Sequence, residues 1–135
     1  MKRYSGVLVR HNNKVLLAKR NHKGALPGEW SIFGGSIEEN ENPINGAVRE
    51  FFEETNCKAE NPLELCGVID RYTRDGKKLK GMMYVFLMDV DKVISPDLAS
   101  AHDGDEHSTW GYFSKNELPS PLGDKLKDLI NLVLK

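Results

Sequence analysis

Apolar and polar positions divide the chain into short alternating runs before any composition is considered. Residues 4–10 (YSGVLVR) and 14–19 (KVLLAK) are two apolar runs around the Asn-rich turn His11-Asn12-Asn13, the pattern of a β-hairpin. The stretch from Arg20 to Trp30 carries Gly24, Pro27 and Gly28 as breakers and predicts a loop. SIFGG then predicts a short strand ending on two glycines. Residues 63–72 (LELCGVIDRY) and 79–90 (LKGMMYVFLMDV) predict two more strands, joined through a turn at Asp75-Gly76, and the second is the most apolar in the chain. A polar loop, 95–108, leads into WGYFS and a turn where Ser114 and Glu117 have capping-box spacing. Leu122, Leu126, Leu129, Ile130 and Val133 form one stripe over residues 121–134, predicting a helix that lies against the sheet. Strands outnumber helices and most connections are short, which predicts a mixed sheet with helices packed on it, an α/β or α+β sandwich.

Residues 43–55 predict the other helix. Asn42 suits the N-cap, Pro43 the first helical position, and Asn56 the left-handed residue that ends a helix. At about 100° per residue, Ile44, Ala47, Val48, Phe51 and Thr55 make a buried stripe. Glu50, Glu53 and Glu54 cluster on a different face, with Gly46 one turn before Glu50 clearing space above them. Like charges at this spacing cost a few tenths of a kcal/mol per pair, and a helix-interior glycine costs up to about 1 kcal/mol. No lysine intervenes to soften the repulsion. A solvated acidic face is the usual meaning of such a run, but these accumulated costs point to a ligand: hard divalent cations take carboxylate oxygens, and Mg²⁺ in particular is held by a few carboxylates together with substrate phosphates. Arg49, four residues before Glu53, is placed to pair with a carboxylate and fix its orientation.

Charge sharpens this picture. The 135 residues carry a formal charge of −1, which excludes the global basic field of a non-specific nucleic-acid binder. Residues 35–60 hold seven Glu against Arg49 and Lys58, a local −5, so the rest of the chain sums to +4. An acidic centre in a mildly basic body suits a bound cation and an anionic substrate. No apolar run reaches signal-peptide or membrane-span length, and Cys57 and Cys66 lack metal spacing, so buried free thiols and a cytoplasmic address are expected. At this length one domain, 1–135, is expected.

The residues Gly35, Glu41, Arg49-Glu50, Phe51, Glu53-Glu54, Asn56 and Cys57 fill the pattern Gly-x5-Glu-x7-Arg-Glu-Ψ-x-Glu-Glu-x-Gly-Ψ, with Ψ apolar. The chain therefore resembles the Nudix hydrolase family, the MutT-like nucleotide pyrophosphohydrolases. Its box spans 35–57, and Asn56 departs from the usual glycine at little cost, since Asn also tolerates the left-handed cap. The lead-in KVLLAKR…PGEWSIFGG and the later DEHSTWGYFSKNELP are also similar to family segments. The resemblance implies an α/β/α sandwich around a central mixed sheet, and Mg²⁺-dependent hydrolysis of a pyrophosphate bond in a nucleoside diphosphate derivative, with Mn²⁺ as a possible substitute. It implies Glu50, Glu53, Glu54 and the Gly34 carbonyl as metal ligands. The base that orients water is one of the box glutamates or an acid of the 95–108 loop, Glu106 matching best, with Asp103 and Asp105 as competitors. Glu41 is given to capping or loop closure. Trp30 and Phe33 are expected in the core. Lys19 and Arg20 are either phosphate contacts or ordinary strand-end charges, and the 71–78 hairpin, net +3, either approaches the substrate or, as preferred, is a solvated turn. The markers of ADP-ribose, diadenosine polyphosphate and NADH enzymes are missing from their places, which favours a (deoxy)nucleoside triphosphate over ADP-ribose, sugar-nucleotide, dinucleoside polyphosphate or capped-RNA substrates. A non-catalytic binding module, the rival class, would be expected to have lost a box glutamate.

Overall fold

The structure, a computed structural model, describes residues 1–21, 28–73 and 75–135. Gly24 and Pro27 of the expected loop, and Arg74 of the hairpin, lie outside them. Seven strands form one sheet. β1 (Lys2–His11) and β2 (Lys14–Arg20) make the expected hairpin, closed by Asn12 and Asn13 with φ of 49° and 57°. Two consecutive positive φ values define the tight turn that matches strand twist, and Asn tolerates them. The pairing is short: it joins Arg10 to Val15 and His11 to Lys14, after which the strands diverge. Residues 30–36 enter the gap. β3 (Trp30–Ser31) runs along β2 and β4 (Phe33–Ser36) along β1, so the single predicted strand is two that change partner at Ile32. β6 (Leu79–Asp89) lies parallel to β1 and antiparallel to the edge strand β5 (Glu64–Tyr72), while β7 (His107–Phe113) pairs with β2 and begins three residues before the predicted WGYFS strand.

The central strands are apolar on both faces because both faces are covered. Leu8, Val15, Leu17, Met83 and Val85 point to one side, where Leu126, Leu129 and Ile130 of α2 (Asp124–Val133) pack on them. Val7, Val9, Leu16, Phe33 and Met88 point to the other, against Ala47 and Phe51 of α1 (Pro43–Thr55). The result is an α/β/α sandwich with a mixed sheet. Among the described residues no helix is long and apolar enough to cross a membrane. Phe33 lies in the core on the α1 side and Trp30 packs partly buried against the core on the α2 side, whereas Cys57 and Cys66 are free thiols only half-buried, less enclosed than expected.

α1 has the predicted ends. The Asn42 side chain accepts from the Asn45 N–H at 2.8 Å, and Asn56 is left-handed at φ 58°. Its rotation differs from the periodicity. Gly46, Ala47, Phe51, Glu54 and Thr55 are buried, whereas Ile44 is 43% exposed. Gly46 explains the turn of the helix: a Cβ there would come within 3.0 Å of Glu41 Oε1 and of Ser5 Oγ, so the glycine lets α1 press onto β1 and the preceding loop. It does not clear space above the three glutamates. Near the C-terminus, the Ser114 hydroxyl reaches the Glu117 carboxylate only at 3.4 Å and opens a single 3-10 turn, so the predicted capping box is incomplete. Because Asn56 holds a left-handed conformation, Asn56→Ala is expected to destabilise the protein by about 1 kcal/mol in urea denaturation, while Asn56→Gly leaves stability equal or higher.

Candidate active site

α1 supplies the acidic side chains and Arg49 organises them. The Arg49 guanidinium forks onto Glu41, Nε to Oε2 at 2.9 Å and Nη2 to Oε1 at 3.0 Å, and Nη2 also donates to the Ser36 carbonyl at 2.9 Å. Its Nη1 bonds Glu50 Oε1 at 3.1 Å and reaches Glu53 at 3.3 Å. The sequence pointed to Glu53 as the Arg49 partner; the stronger grip is on Glu41, and Glu53 is held at the edge. Glu41 in turn accepts from the Glu38 N–H at 3.0 Å, the loop closure expected of it. The Arg49 hydrogen bonds hold the Glu41 carboxyl below its usual range.

The paired glycines act by close approach, not by turning the chain. Both lie in β4, where Gly34 pairs with Gly6. A Cβ on Gly34 would sit 2.7 Å from the Gly6 Cα, and one on Gly35 would overlap the Glu50 carboxylate. Glu50 is thereby packed against the strand, and burial pushes its carboxyl up while Arg49 opposes the shift. The 95–108 loop is fastened to the end of α1: the Asp103 N–H donates to the Glu53 carbonyl at 2.7 Å and the Asp97 N–H to the Thr55 carbonyl at 2.9 Å. Carboxylate oxygens of Glu50, Glu53 and Asp103 lie within 4.8 Å of one another. Three carboxylates at that spacing have the donor chemistry and the reach of a hard divalent cation, so the residues fit such an ion. Asp103 was weighed in the sequence only as a base; Asp105 is exposed.

Glu54 sits apart from this group. It is fully buried, and among the described residues neither carboxylate oxygen makes a well-formed hydrogen bond, with the Glu106 carboxyl its nearest acidic neighbour. Burial first, and the neighbouring Glu106 second, push its carboxyl well above the usual range. His107 lies beside it, also buried, with Nδ1 3.8 Å from Glu54 Oε2 and pushed down to about 4 by burial and by Arg20.

A cleft of about 240 Å³ opens beside the acidic cluster and is lined by Tyr4, Gly34, Gly35, Glu50, Asp103 and Glu106, with Arg20, Arg71 and Lys80 on its cationic side. Arg20 and Arg71 also line an adjoining cavity of about 360 Å³ with walls from Trp30, Ile32, Ile69, Met83 and Leu126, and with Glu29 at its side. Among the described residues neither arginine has a carboxylate within ion-pairing distance. Of the two predicted phosphate contacts the structure brings in Arg20 and leaves Lys19 exposed, lining neither cavity. Arg71, read from sequence as part of a solvated turn, instead lies with its guanidinium 4.7 Å from the centre of the Tyr4 ring. Lys80 and Tyr4 were not foreseen either; their only signal was a position near the end of an apolar strand.

A model of the NUDIX domain matches residues 2–133. The chain belongs to the NUDIX family. Among curated proteins it is similar to a MutT-like protein of Streptomyces ambofaciens, 39% identical over 70 residues, which cover 52% of this chain and 42% of that protein. It is also similar to an 8-oxo-dGTP diphosphatase of Proteus vulgaris, 31% identical over 71 residues covering 53% of this chain and 60% of the relative. The matched stretch thus spans about half the length of these relatives. The Nudix fold extends over the whole structure: a MutT NUDIX hydrolase from Burkholderia pseudomallei superposes with a TM-score of 0.81 at 24% identity, covering 98% of this chain and 97% of the other. A MutT protein from Methanosarcina mazei gives 0.76 at 19%, covering 97% and 91%.

Burial of Glu54 has a pH signature. A carboxyl whose folded pKa is raised binds its proton more tightly in the native state, so its contribution to stability is lost as pH rises from the unfolded value through the folded one. Glu54→Gln is therefore expected to stabilise the cation-free protein at pH 8 by at least about 1 kcal/mol, and by much less at pH 4, as read by thermal denaturation at the two pH values in EDTA.

Proposed function

We propose that the protein hydrolyses a pyrophosphate bond in a nucleoside diphosphate derivative, with a (deoxy)nucleoside triphosphate as the preferred substrate, cleaved to the monophosphate and pyrophosphate. The observation that carries this reading is a single cleft with both signs of charge, carboxylates of α1 and the 95–108 loop facing Arg20 and Arg71, that opens onto a largely apolar cavity of about 360 Å³. That volume lies in the range of ligand pockets, and its place beyond the two arginines suits a base and sugar whose phosphates extend toward the acidic cluster. The likeness to an 8-oxo-dGTP diphosphatase supports a purine triphosphate, and the Glu29 carboxylate in the cavity wall supports a base that offers N–H donors.

Glu50, Glu53 and Glu54, with Asp103 and the Gly34 carbonyl, would hold Mg²⁺ or Mn²⁺, which when bound supplies charge neutralisation and a more acidic water. The chain's own groups do the rest. Arg20 and Arg71 bind and orient the phosphate oxygens, with the forked donors suited to them. Arg49 keeps Glu50 and Glu53 aimed while it is itself anchored on Glu41. Glu106 accepts the proton of the attacking water, with Glu53 the next candidate. The water oxygen forms a bond to phosphorus, the anhydride P–O bond breaks, and pyrophosphate leaves with the electron pair. The free thiols Cys57 and Cys66 suit a reducing, cytoplasmic setting.

The test is hydrolysis, followed by chromatography of the nucleotide products, of a panel of nucleoside triphosphates, 8-oxo-dGTP, ADP-ribose, dinucleoside polyphosphates and nucleotide sugars in Mg²⁺. Triphosphate hydrolysis is expected, with kcat lowered on the order of 100-fold or more in Glu53→Gln. Hydrolysis of ADP-ribose alone would overturn the substrate assignment, and no hydrolysis of any compound would overturn the enzyme. In the same assay Arg71→Ala is expected to raise KM at least about 10-fold, since it removes a charged phosphate contact, whereas Lys19→Ala leaves KM unchanged.

A further inference from the structure

His107 is a buried polar side chain for which the proposed chemistry has no use. It opens β7 opposite Arg20, and its ring stands edge-on to Phe33 with centroids 4.9 Å apart. The side chain is wholly enclosed, and among the described residues neither ring nitrogen has a hydrogen-bond partner. Unsatisfied buried polar groups are few in folded proteins, and each calls for a specific reason. Here two of them meet: the ring faces Glu54 across 3.8 Å from Nδ1 to Oε2, and although the Glu106 carboxyl lies near Glu54, neither Glu54 oxygen makes a well-formed hydrogen bond among the described residues. An apolar residue of similar size would fill the space against Phe33 without leaving unmade bonds, so packing alone gives no reason for an imidazole. The gap is about 1 Å longer than an N–H···O bond, a difference that a small rotation of either side chain closes.

We propose that His107 is the positioning residue for Glu54, its neutral imidazole donating the Nδ1 proton to one carboxylate oxygen and so leaving the other for the divalent cation. Metal-ligating groups are commonly oriented in this way by a hydrogen bond from behind, and loss of such a partner typically weakens metal binding about 10- to 100-fold. The inference rests on the reading of Glu54 as a cation ligand. Among the described residues Arg20 from β2, Glu54 from α1 and Phe33 from β4 lie near the ring, and of these side chains only that of Glu54 can accept.

The experiment measures Mn²⁺ binding to the substrate-free protein by electron paramagnetic resonance, beside the thermal midpoint in EDTA, for wild type, His107→Leu, His107→Asn, Glu54→Gln and the Glu54→Gln/His107→Leu pair. His107→Leu is expected to keep or raise the midpoint in EDTA and to weaken Mn²⁺ binding about 10-fold or more. His107→Asn, which retains a donor, recovers part of that loss. In the Glu54→Gln background His107→Leu adds no further weakening. A purely structural histidine gives the reverse: a lowered midpoint with Mn²⁺ affinity unchanged, which overturns the proposal. Additive losses in the double variant overturn it as well. Should His107→Leu not fold, His107→Phe carries the same comparison, and failure of both to fold also overturns it, since a positioning role requires an intact cation-free protein. If Glu54→Gln itself binds Mn²⁺ as wild type does, the assignment of Glu54 as ligand fails first. If Glu54→Gln weakens binding and His107→Leu does not, only the role of His107 falls.

Discussion

The site depends on the Arg49 guanidinium. Two unit charges 4 Å apart interact by about 1 kcal/mol in bulk water and about 4 kcal/mol at the effective dielectric of a protein surface. Glu41, Glu50 and Glu53 would repel one another on that scale if nothing lay between them. Arg49 touches all three and also the Ser36 carbonyl, so one side chain ties the loop before α1, the helix and the end of β4 into one unit. Its planar fork makes this possible: five donors in fixed directions serve several acceptors at once, which a lysine ammonium on a flexible stem does not do. A bound cation would then relieve repulsion that Arg49 only partly offsets, so the arrangement is assembled before the ion arrives and completed by it.

Close backbone approach is the second constraint, and it works through missing side chains. Gly46 lets α1 settle on β1, and Gly35 makes room for the Glu50 carboxylate against β4. Together they rotate the helix so that its acidic residues flank the buried stripe and do not face open water. Glu54 is the consequence. It is carried into the core at the same depth as Phe51 and Thr55, and its carboxyl is held far above the usual range by that burial. A buried unpaired carboxylate is a stability cost, and it becomes intelligible when a cation is to be its partner.

What could be read from the sequence was what local chemistry decides. The ends of α1 follow from Asn42, Pro43 and Asn56, and the hairpin turn from Asn12-Asn13, because caps and tight turns are settled within a few residues. The glutamate spacing gave the helix and brought Glu50 and Glu53 together, whereas Glu54 turns into the core and Asp103 takes the third place in the group. What could not be read was decided by distant partners. SIFGG splits into two strands because β1 and β2 diverge around it, a tertiary event with no mark in those five residues. Helix rotation was misjudged by one position because Ile44 looked like core, whereas the contact of Gly46 with Ser5 and Glu41 sets the angle. The charge-rich segment around Arg71 favours a solvated turn over an approach to the substrate, yet β5 pairing carries Arg71 over the Tyr4 ring. Asp103 joins Glu50 and Glu53 through one backbone hydrogen bond from the 95–108 loop to α1, which no spacing along the chain encodes.

Arg20 links the two halves of the cleft. It lines both cavities, its charge helps to depress His107 and Arg71, and it works against the rise of Glu54 and Glu29. Arg20 and Arg71 repel each other as the glutamates opposite them do; the Glu29 carboxylate feels both charges, but among the described residues no carboxylate lies within ion-pairing distance of either. The chain keeps both kinds of repulsion within one cleft and does not let them cancel as salt bridges. Had Arg20 and Arg71 paired with Glu50 or Glu53, the protein would be more stable and the cleft electrostatically mute. Kept separate, the acidic side calls for a cation and the basic side for an anion. A metal-bound polyphosphate, as proposed for the substrate, would satisfy both at once, and a cleft this small would then favour that complex over either component alone.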